Sequence, residues 1–398
     1  MKIIYFGLAF TLLIIFGSSD VKAQPVNESA LHTQVIASNL HVPWEIVFAP
    51  DGRAFFTERI GDLRVIENGA LVDQPVATIP VAKAGEGGLL GLALDPNFEK
   101  DHFLYLYYTY SDFTGLHNRV VRFTESNNAI SSEKILLDKI PANTYHDGGR
   151  IKFGPDGKLY ITTGEAGKPE SAQDINYLGG KILRINPDGS IPGDNPIPGS
   201  PVYSYGNRNP EGLDWDPRNG NLIETEHGPS GENGWFAHDE VNVIIPGKNY
   251  GWSSVIGMAN DSRFVNPIYQ TGDVTWAPSG ATFYTSDKIP DLKGKFLIAT
   301  LRGQHMEIFT LDKNDKVESS QKIFDTTFGR LRDAVQAPDG SLYILTSNVD
   351  ERGNAVPDDD KIIRVVPEFG PVAALVLAVS ISSIVIFSAK NQRLIPRK

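Results

Sequence analysis

"FGPDGKLYITTGE", Phe153 to Glu165, divides into a tight turn and a strand. Gly154-Pro155-Asp156-Gly157 has turn chemistry: proline presets φ, aspartate bonds the backbone two residues on, and glycine accepts a positive φ. Leu159 to Thr163 then supplies the branched and aromatic side chains that fit a pleated, packed surface. Similar stretches recur. "FAPDGRAFFTE" begins at Phe48, "LDPNFEKDHFLYLYYT" at Leu94, "WDPRNGNLIETEHG" at Trp215, "APSGATFYTSD" at Ala277 and "APDGSLYILTS" at Ala337. Their prolines, at 50, 96, 155, 217, 278 and 338, lie 46, 59, 62, 61 and 60 residues apart. A unit of this size holds four short strands plus loops. One such sheet cannot bury both faces by itself, and stacking the sheets around an axis does so. The repeat predicts an all-β fold, a six-bladed propeller of four-stranded antiparallel blades over residues 32–367. The alternative is a β-sandwich, or two β domains, with Pro-Asp-Gly turns that coincide by chance. Helical patterning is sparse: Ser171 to Ile185 starts like a short helix that Gly179-Gly180 breaks.

The rest of the composition agrees. The chain has 398 residues, more than one ordinary domain of about 150, but large all-β domains run longer. Its 38 glycines and 26 prolines suit many turns. A formal net charge of -11, with no clustered Lys and Arg in the body, excludes a nucleic-acid binder. The absence of cysteine excludes a disulfide scaffold, a thiolate nucleophile and a Cys-based zinc site.

The two ends suggest a location. Lys2, the apolar run Ile3 to Gly17 and a small-residue boundary at Ala23 read as a secretory signal peptide over residues 1–23. An uncleaved anchor is the alternative. Residues 368–398 read as a transmembrane helix with a basic tail. Phe369 to Ala389 carries no charge and is long enough for a bilayer core, and Lys390, Arg393, Arg397 and Lys398 follow. The positive-inside rule puts that tail in the cytoplasm and residues 24–367 outside. The expectation is a cell-surface protein anchored to the membrane by its C-terminal segment. Pro367-Glu368-Phe369-Gly370 before an apolar segment resembles the C-terminal sorting tags of archaeal surface proteins, which implies a tail exchanged for another anchor.

Propellers gather ligands at one mouth of the central channel, so the residues flanking the repeated hairpins carry the chemistry. "GEGGLLG", Gly85 to Gly91, fails the Gly-x-Gly-x-x-Gly spacing and leads into a strand, which excludes a nicotinamide site. It reads as a close backbone approach, with Glu86 free to face the channel. His146, in "YHDGGR", is a candidate general base, since imidazole is the side chain that most often does this work, and it equally suits a structural loop. Arg208, in "YGNRNPEGL", offers a rigid fork to an oxyanion or bridges two blades. Gly228-Pro229, with His227, Glu232, His238, Asp239 and Glu240 nearby, suits oxygen coordination of Ca²⁺. Arg330 and Arg332 share one face if extended, and with Arg302 they suggest a multiply charged anion or salt bridges to blade carboxylates.

In this order the elements resemble the pyrroloquinoline quinone (PQQ)-dependent sugar dehydrogenases, the soluble glucose and aldose sugar dehydrogenases of the glucose/sorbosone dehydrogenase type. The resemblance rests on "GEGGLLGLALDPNF", "HDGGRIKFGPDGKLYITTGE", "AQDINYLGGKILRINPDG", "YGNRNPEGL", "EHGPSGE…DEVN", "GKNYGW" and "RLRDAVQAPDG", spread over residues 35–366. It implies a six-bladed propeller with PQQ at the mouth of the channel. It implies that His146 takes the proton of the sugar's anomeric hydroxyl while hydride passes to PQQ. Ca²⁺, held by backbone oxygens of Gly228 and Pro229, would polarise the quinone. Arg208 and Asn209 match residues at the quinone oxygens. Arg302, Arg330 and Arg332 match the residues that hold the PQQ carboxylates. Glu86 falls beside cofactor and sugar, and Asp147 and Glu165 on the substrate side. The product would be a lactone, and an external acceptor would take the electrons.

There are departures from the pattern. Glu86 stands where relatives usually carry Gln, Glu165 where some carry Asp, and Arg302 where the glucose enzyme has Lys. The short segment between Trp252 and Trp276 offers no counterpart to the sugar-stacking aromatic of the glucose enzyme. Two other readings fit a propeller: a non-catalytic surface binding module of the same superfamily, and a Ca²⁺-dependent hydrolase or lactonase acting through His146 and Asp147.

Overall fold

A computed structural model describes residues 25–368. The expected signal peptide and the expected transmembrane segment from Phe369 onward lie outside the described residues, as do Phe369 and Gly370 of the expected sorting motif. Among the described residues no helix is long and apolar enough to cross a membrane.

Six antiparallel sheets succeed one another along the chain. Their inner strands are Pro43–Phe48, Leu89–Leu94, Ile151–Phe153, Pro210–Trp215, Pro278–Tyr284 and Leu331–Gln336, which number the blades one to six. Each inner strand touches the inner strands of the blades on either side, and the sixth touches the first, so the ring is closed. Blade one carries an extra short strand, and the other five are four-stranded. The outermost strand of blade six comes from the other end of the chain: Leu31–Ala37 pairs antiparallel with Ile362–Pro367. The body begins earlier than residue 32, because Val26 is buried and exchanges two hydrogen bonds with the Gln321 side chain.

The second strand of a blade is covered on both faces, which explains why apolar side chains follow one another in it without strict alternation. Leu159–Thr163 and Lys295–Thr300 are buried at every position. Six apolar clusters result, one at each junction between neighbouring blades. Each fully buried Leu, Ile or Phe contributes about 1.5–3 kcal/mol, so the ring closes on its own hydrocarbon.

The repeated turns behave as their residues dictate. Asp51, Asp156 and Asp339 each accept the backbone N–H two residues on, at 3.0, 3.0 and 2.8 Å. Gly157 has φ +70°. The fifth repeat differs from the expectation. Pro278 opens the inner strand, and the turn that follows carries Pro290 in a one-turn 3-10 helix, Pro290–Leu292. The true turn-proline steps there are 73 and 48 residues, and the even spacing through Pro278 was a coincidence of loop lengths. The helix expected at Ser171 is a single 3-10 turn, Pro169–Gln173, and Lys181–Ile185 is a strand.

All these turns lie at one end of the axis. The opposite mouth is built where inner strands begin and second strands end, and there the predicted residues gather. "GEGGLLG" serves close approach, as its composition suggests. A Cβ on Gly91 would sit 2.1 Å from the Gly149 carbonyl oxygen of blade three, and one on Gly88 would sit 2.1 Å from that of Arg59. Gly91→Ala is therefore expected to force blades two and three apart and to cost about 1–3 kcal/mol, read as a lower urea midpoint with unchanged slope. An unchanged midpoint would remove the steric argument.

Candidate functional site

His146 precedes the inner strand of blade three, in the left-handed region at φ +61°. Three attachments hold it there. Its backbone N–H donates to Glu86 Oε2 at 2.8 Å, its carbonyl accepts from Ala166 N at 3.1 Å, and its ring Nδ1 is hydrogen-bonded to Glu165. Tyr145 packs edge-on at 4.7 Å. Glu165 is fully buried behind the imidazole, just past the second strand of the same blade. With Nδ1–H given to that carboxylate, Nε2 keeps the lone pair, the tautomer a base needs. Glu165, expected on the substrate side, is bonded to the histidine ring and buried behind it.

Asp147 is also buried, at 1% exposure. Its Oδ1 accepts from Asn118 Nδ2 at 3.0 Å and Asn143 N at 3.2 Å, and its Oδ2 has no partner. Burial, with Glu86 and Glu211 nearby, pushes its carboxyl up to about 7. Glu86 goes the other way. Burial opposes its ionisation, but His146, Arg352 and His227 outweigh it and hold the carboxyl down, at about 2.

Blade four supplies the next group. Arg208 is 2% exposed, and its guanidinium donates to Glu232 Oε1 at 2.6 Å and the His227 carbonyl at 3.1 Å, above the Trp252 ring at 5.3 Å. Its Nε has no partner. Asn209 accepts the Gly148 N–H at 3.0 Å, and its Nδ2 reaches His227 Nδ1 at 3.3 Å and Glu211 Oε1 at 3.4 Å. One side chain thus ties the histidine loop of blade three to blade four.

Arg330 and Arg332 come from blade six, and an acid already stands between them. Asp350 Oδ2 is 2.8 Å from Arg330 Nη2 and 3.8 Å from Arg332 Nη2. Arg332 also bonds Glu211 Oε2 at 2.9 Å. With Arg59, Glu86, Glu211 and Arg352 they line a cavity of about 180 Å³. Arg302 is not brought into this wall. It is exposed, and its neighbour Leu301 lines the cavity. A larger cavity, about 400 Å³, lies at the turn end of the axis among Phe48, Phe153 and Pro338, and none of the predicted site residues lines it.

Gly228 and Pro229 follow the second strand of blade four. With Glu226, Glu240 and Tyr250 they border a void of about 10 Å³. Glu224, Glu226 and Glu240 form a buried acidic group beside it, and burial raises all three carboxyls. Glu224 Oε2 and Asn242 Oδ1, both acceptors, are buried without a donor. Buried acceptors without donors mark a place for a proton or a cation. Among the described residues no cluster of three or more His, Cys, Asp or Glu has metal-holding geometry, so an ion here would rely on backbone carbonyls.

Sequence reasoning missed Arg59, Glu211, Asp350 and Arg352 as site residues. Glu211 lies in "NRNPEGL", three residues after Arg208, and was within reach of that motif. Asp350 and Arg352 sit in irregular chain between two strands, where no pattern marks them.

The glucose/sorbosone dehydrogenase family model matches residues 40–356. The aldose sugar dehydrogenase YliI of Escherichia coli is 31% identical, over 85% of this chain and 95% of its own. Quinoprotein glucose dehydrogenase B of Acinetobacter calcoaceticus is 30% identical, over 83% and 87%. The PQQ-bound structure of the aldose sugar dehydrogenase from Streptomyces coelicolor superposes with a TM-score of 0.75 at 35% identity, covering 84% of this chain and 98% of that one.

The Asp147 carboxyl gives a pH test. It ionises near 3.9 in an unfolded chain and at about 7 in the fold. Folding therefore takes up a proton between those limits, and stability falls as pH rises through that window. Asp147→Asn is expected to remove part of that slope, raising stability relative to wild type by on the order of 2 kcal/mol between pH 5 and pH 8. The check is urea unfolding at both pH values. A difference that does not change with pH would contradict the assignment.

Proposed function

This chain belongs to the glucose/sorbosone dehydrogenase family, and we propose that it is a PQQ- and Ca²⁺-dependent aldose dehydrogenase that oxidises the anomeric hydroxyl to a lactone and passes electrons to an external acceptor. The observation that carries the reading is the imidazole of His146, backed by the buried carboxylate of Glu165 and clamped through its backbone by Glu86.

The residues present fit both groups. PQQ is a flat tricarboxylate, and the cavity wall offers four guanidiniums, those of Arg59, Arg330, Arg332 and Arg352, set among the carboxylates of Glu86, Glu211, Asp350 and Glu351. Arg332 Nε is buried without a partner, as is Arg208 Nε. Arg330 and Arg332 would hold carboxylates of the cofactor, and Arg208 and Asn209 would meet its quinone oxygens. For Ca²⁺ the support is the small void at Gly228 and Pro229 and the unpartnered oxygens of Glu224 and Asn242. When bound, PQQ supplies a hydride acceptor and Ca²⁺ a Lewis acid.

The chain's own residues supply the rest. His146 Nε2 accepts the proton of the sugar hydroxyl, and Glu165 stabilises the imidazolium that forms. Glu86 holds the loop that carries the base. Trp252 under Arg208 limits where that guanidinium can move. The sequences of the two ends support a cell-surface location with a C-terminal membrane tether, or its processed replacement.

The test is dye reduction by the full chain with added PQQ and Ca²⁺ and several aldoses. His146→Ala is expected to keep PQQ binding and to lose about 10²–10⁴-fold in kcat. Normal turnover would remove His146 as the base, and no PQQ binding by the wild type would remove the reading. Chelating Ca²⁺ is expected to release PQQ, and added Ca²⁺ to restore it. Retention of PQQ in chelator would contradict the calcium assignment.

A further inference from the structure

The contact between Arg352 and Glu86 in the mouth joins two blades that the fold does not otherwise link there. Arg352 lies in the irregular segment between the strands Leu342–Thr346 and Ile362–Pro367 of blade six. Its Nη1 meets Glu86 Oε1 at 2.5 Å, across 266 residues of sequence. The other oxygen of Glu86 accepts the His146 backbone N–H. One carboxylate therefore joins a loop of blade six to the backbone of the histidine carried by blade three.

The loop that presents Arg352 is itself fixed. The Arg352 backbone N–H donates to Asp350 Oδ1 at 3.0 Å, and Asp350 Oδ2 holds Arg330. Gly353 lies so close to Asn348 that an added Cβ would be 2.4 Å from the Asn348 carbonyl oxygen. The guanidinium is thus aimed from a braced turn, although its side chain is 56% exposed. A surface ion pair of that exposure contributes little to stability, so its effect should be sought in geometry.

The charges around Glu86 show why a partner is needed. Arg59, Arg352, His146 and His227 face it with positive or potentially positive charge, and Glu211 and, when ionised, Asp147 face it with negative charge. A neutral amide at this position would need no counter-charge, and a carboxylate does. We propose that Arg352 is a positioning residue: its guanidinium holds Glu86 in the pose that clamps the His146 backbone, so a loop of blade six sets the aim of a base carried by blade three. The proposal rests on the reading of His146 as the base.

The test is a cycle of variants in the full chain, with two readouts. Hydrogen–deuterium exchange of the peptide from Thr144 to Arg150, without PQQ, reports the clamp. Dye-reduction kinetics with PQQ and Ca²⁺ report the base. Arg352→Met is expected to speed exchange at His146 about tenfold. It is expected to lower kcat about tenfold, with KM held within about twofold. Arg352→Lys, which keeps the charge, is expected to recover most of both. In a Glu86→Gln background Arg352→Met is expected to add nothing further. Unchanged exchange and kcat in Arg352→Met would overturn the proposal, and so would an equal loss in the Glu86→Gln background. If no aldose is oxidised by the wild type, the activity reading fails, and exchange alone decides the clamp.

Discussion

One guanidinium occupies the axis of the propeller. Arg150, just before the inner strand of blade three, is 3% exposed. Its Nη1 lies 3.3 Å from Glu45 Oε1 of blade one and 3.2 Å from Asp333 Oδ2 of blade six, and its Nε donates to the Glu211 carbonyl of blade four at 2.9 Å. The Trp44 ring lies 4.2 Å away. Glu45 extends the contact to blade two by accepting Leu92 N–H at 2.8 Å, and Glu211 extends it to blade five through Ser279 at 2.6 Å. A single hub therefore touches all six blades directly or through one side chain. Buried charges of this kind add little net stability while paired. Removing one partner leaves an uncompensated charge and costs about 3–5 kcal/mol. The hub thus specifies how the blades meet, and the six apolar clusters between them provide the stabilisation.

The mouth extends this arrangement upward. Glu211 carries the hub on its backbone oxygen and Arg332 on its side chain. Arg332 approaches Asp350, Asp350 holds Arg330, and the Asp350 turn presents Arg352 to Glu86. Glu86 then reaches the His146 backbone. Every step joins different blades or a loop to a strand. A cavity lined in this way is set by the closure of the ring, and its charges cannot be rearranged one at a time. The same low-dielectric setting splits the acids: Glu86 is held ionised by cations, while Asp147 and the Glu224, Glu226 and Glu240 group are pushed toward neutrality by burial.

Local chemistry made much of this legible. Pro-Asp-Gly turns and apolar second strands announce blades because each has a local physical cause. The fifth repeat shows the limit, since Ala277-Pro278 has the composition of a turn and the position of a strand start. Glycine spacing in "GEGGLLG" signalled close packing correctly, because a missing Cβ is visible in sequence. His146 stood out for its chemistry, but its bond to the buried Glu165 was not legible, because burial is a property of the closed ring. Arg330 and Arg332 pointed to an anion, and the acid that stands between them is Asp350, from a segment with no periodicity. Arg352 and its partner are 266 residues apart, and only ring closure brings them together.

In the proposed reaction this mouth removes hydride and proton from the anomeric carbon and its hydroxyl. The most direct measurement is anaerobic stopped-flow mixing of the PQQ- and Ca²⁺-loaded chain with an aldose, ordinary or deuterated at C1, following the quinone absorbance. Bleaching is expected without added acceptor, and slower with the deuterated sugar. No bleaching, or equal rates with the two sugars when bleaching is the slow step, would contradict it.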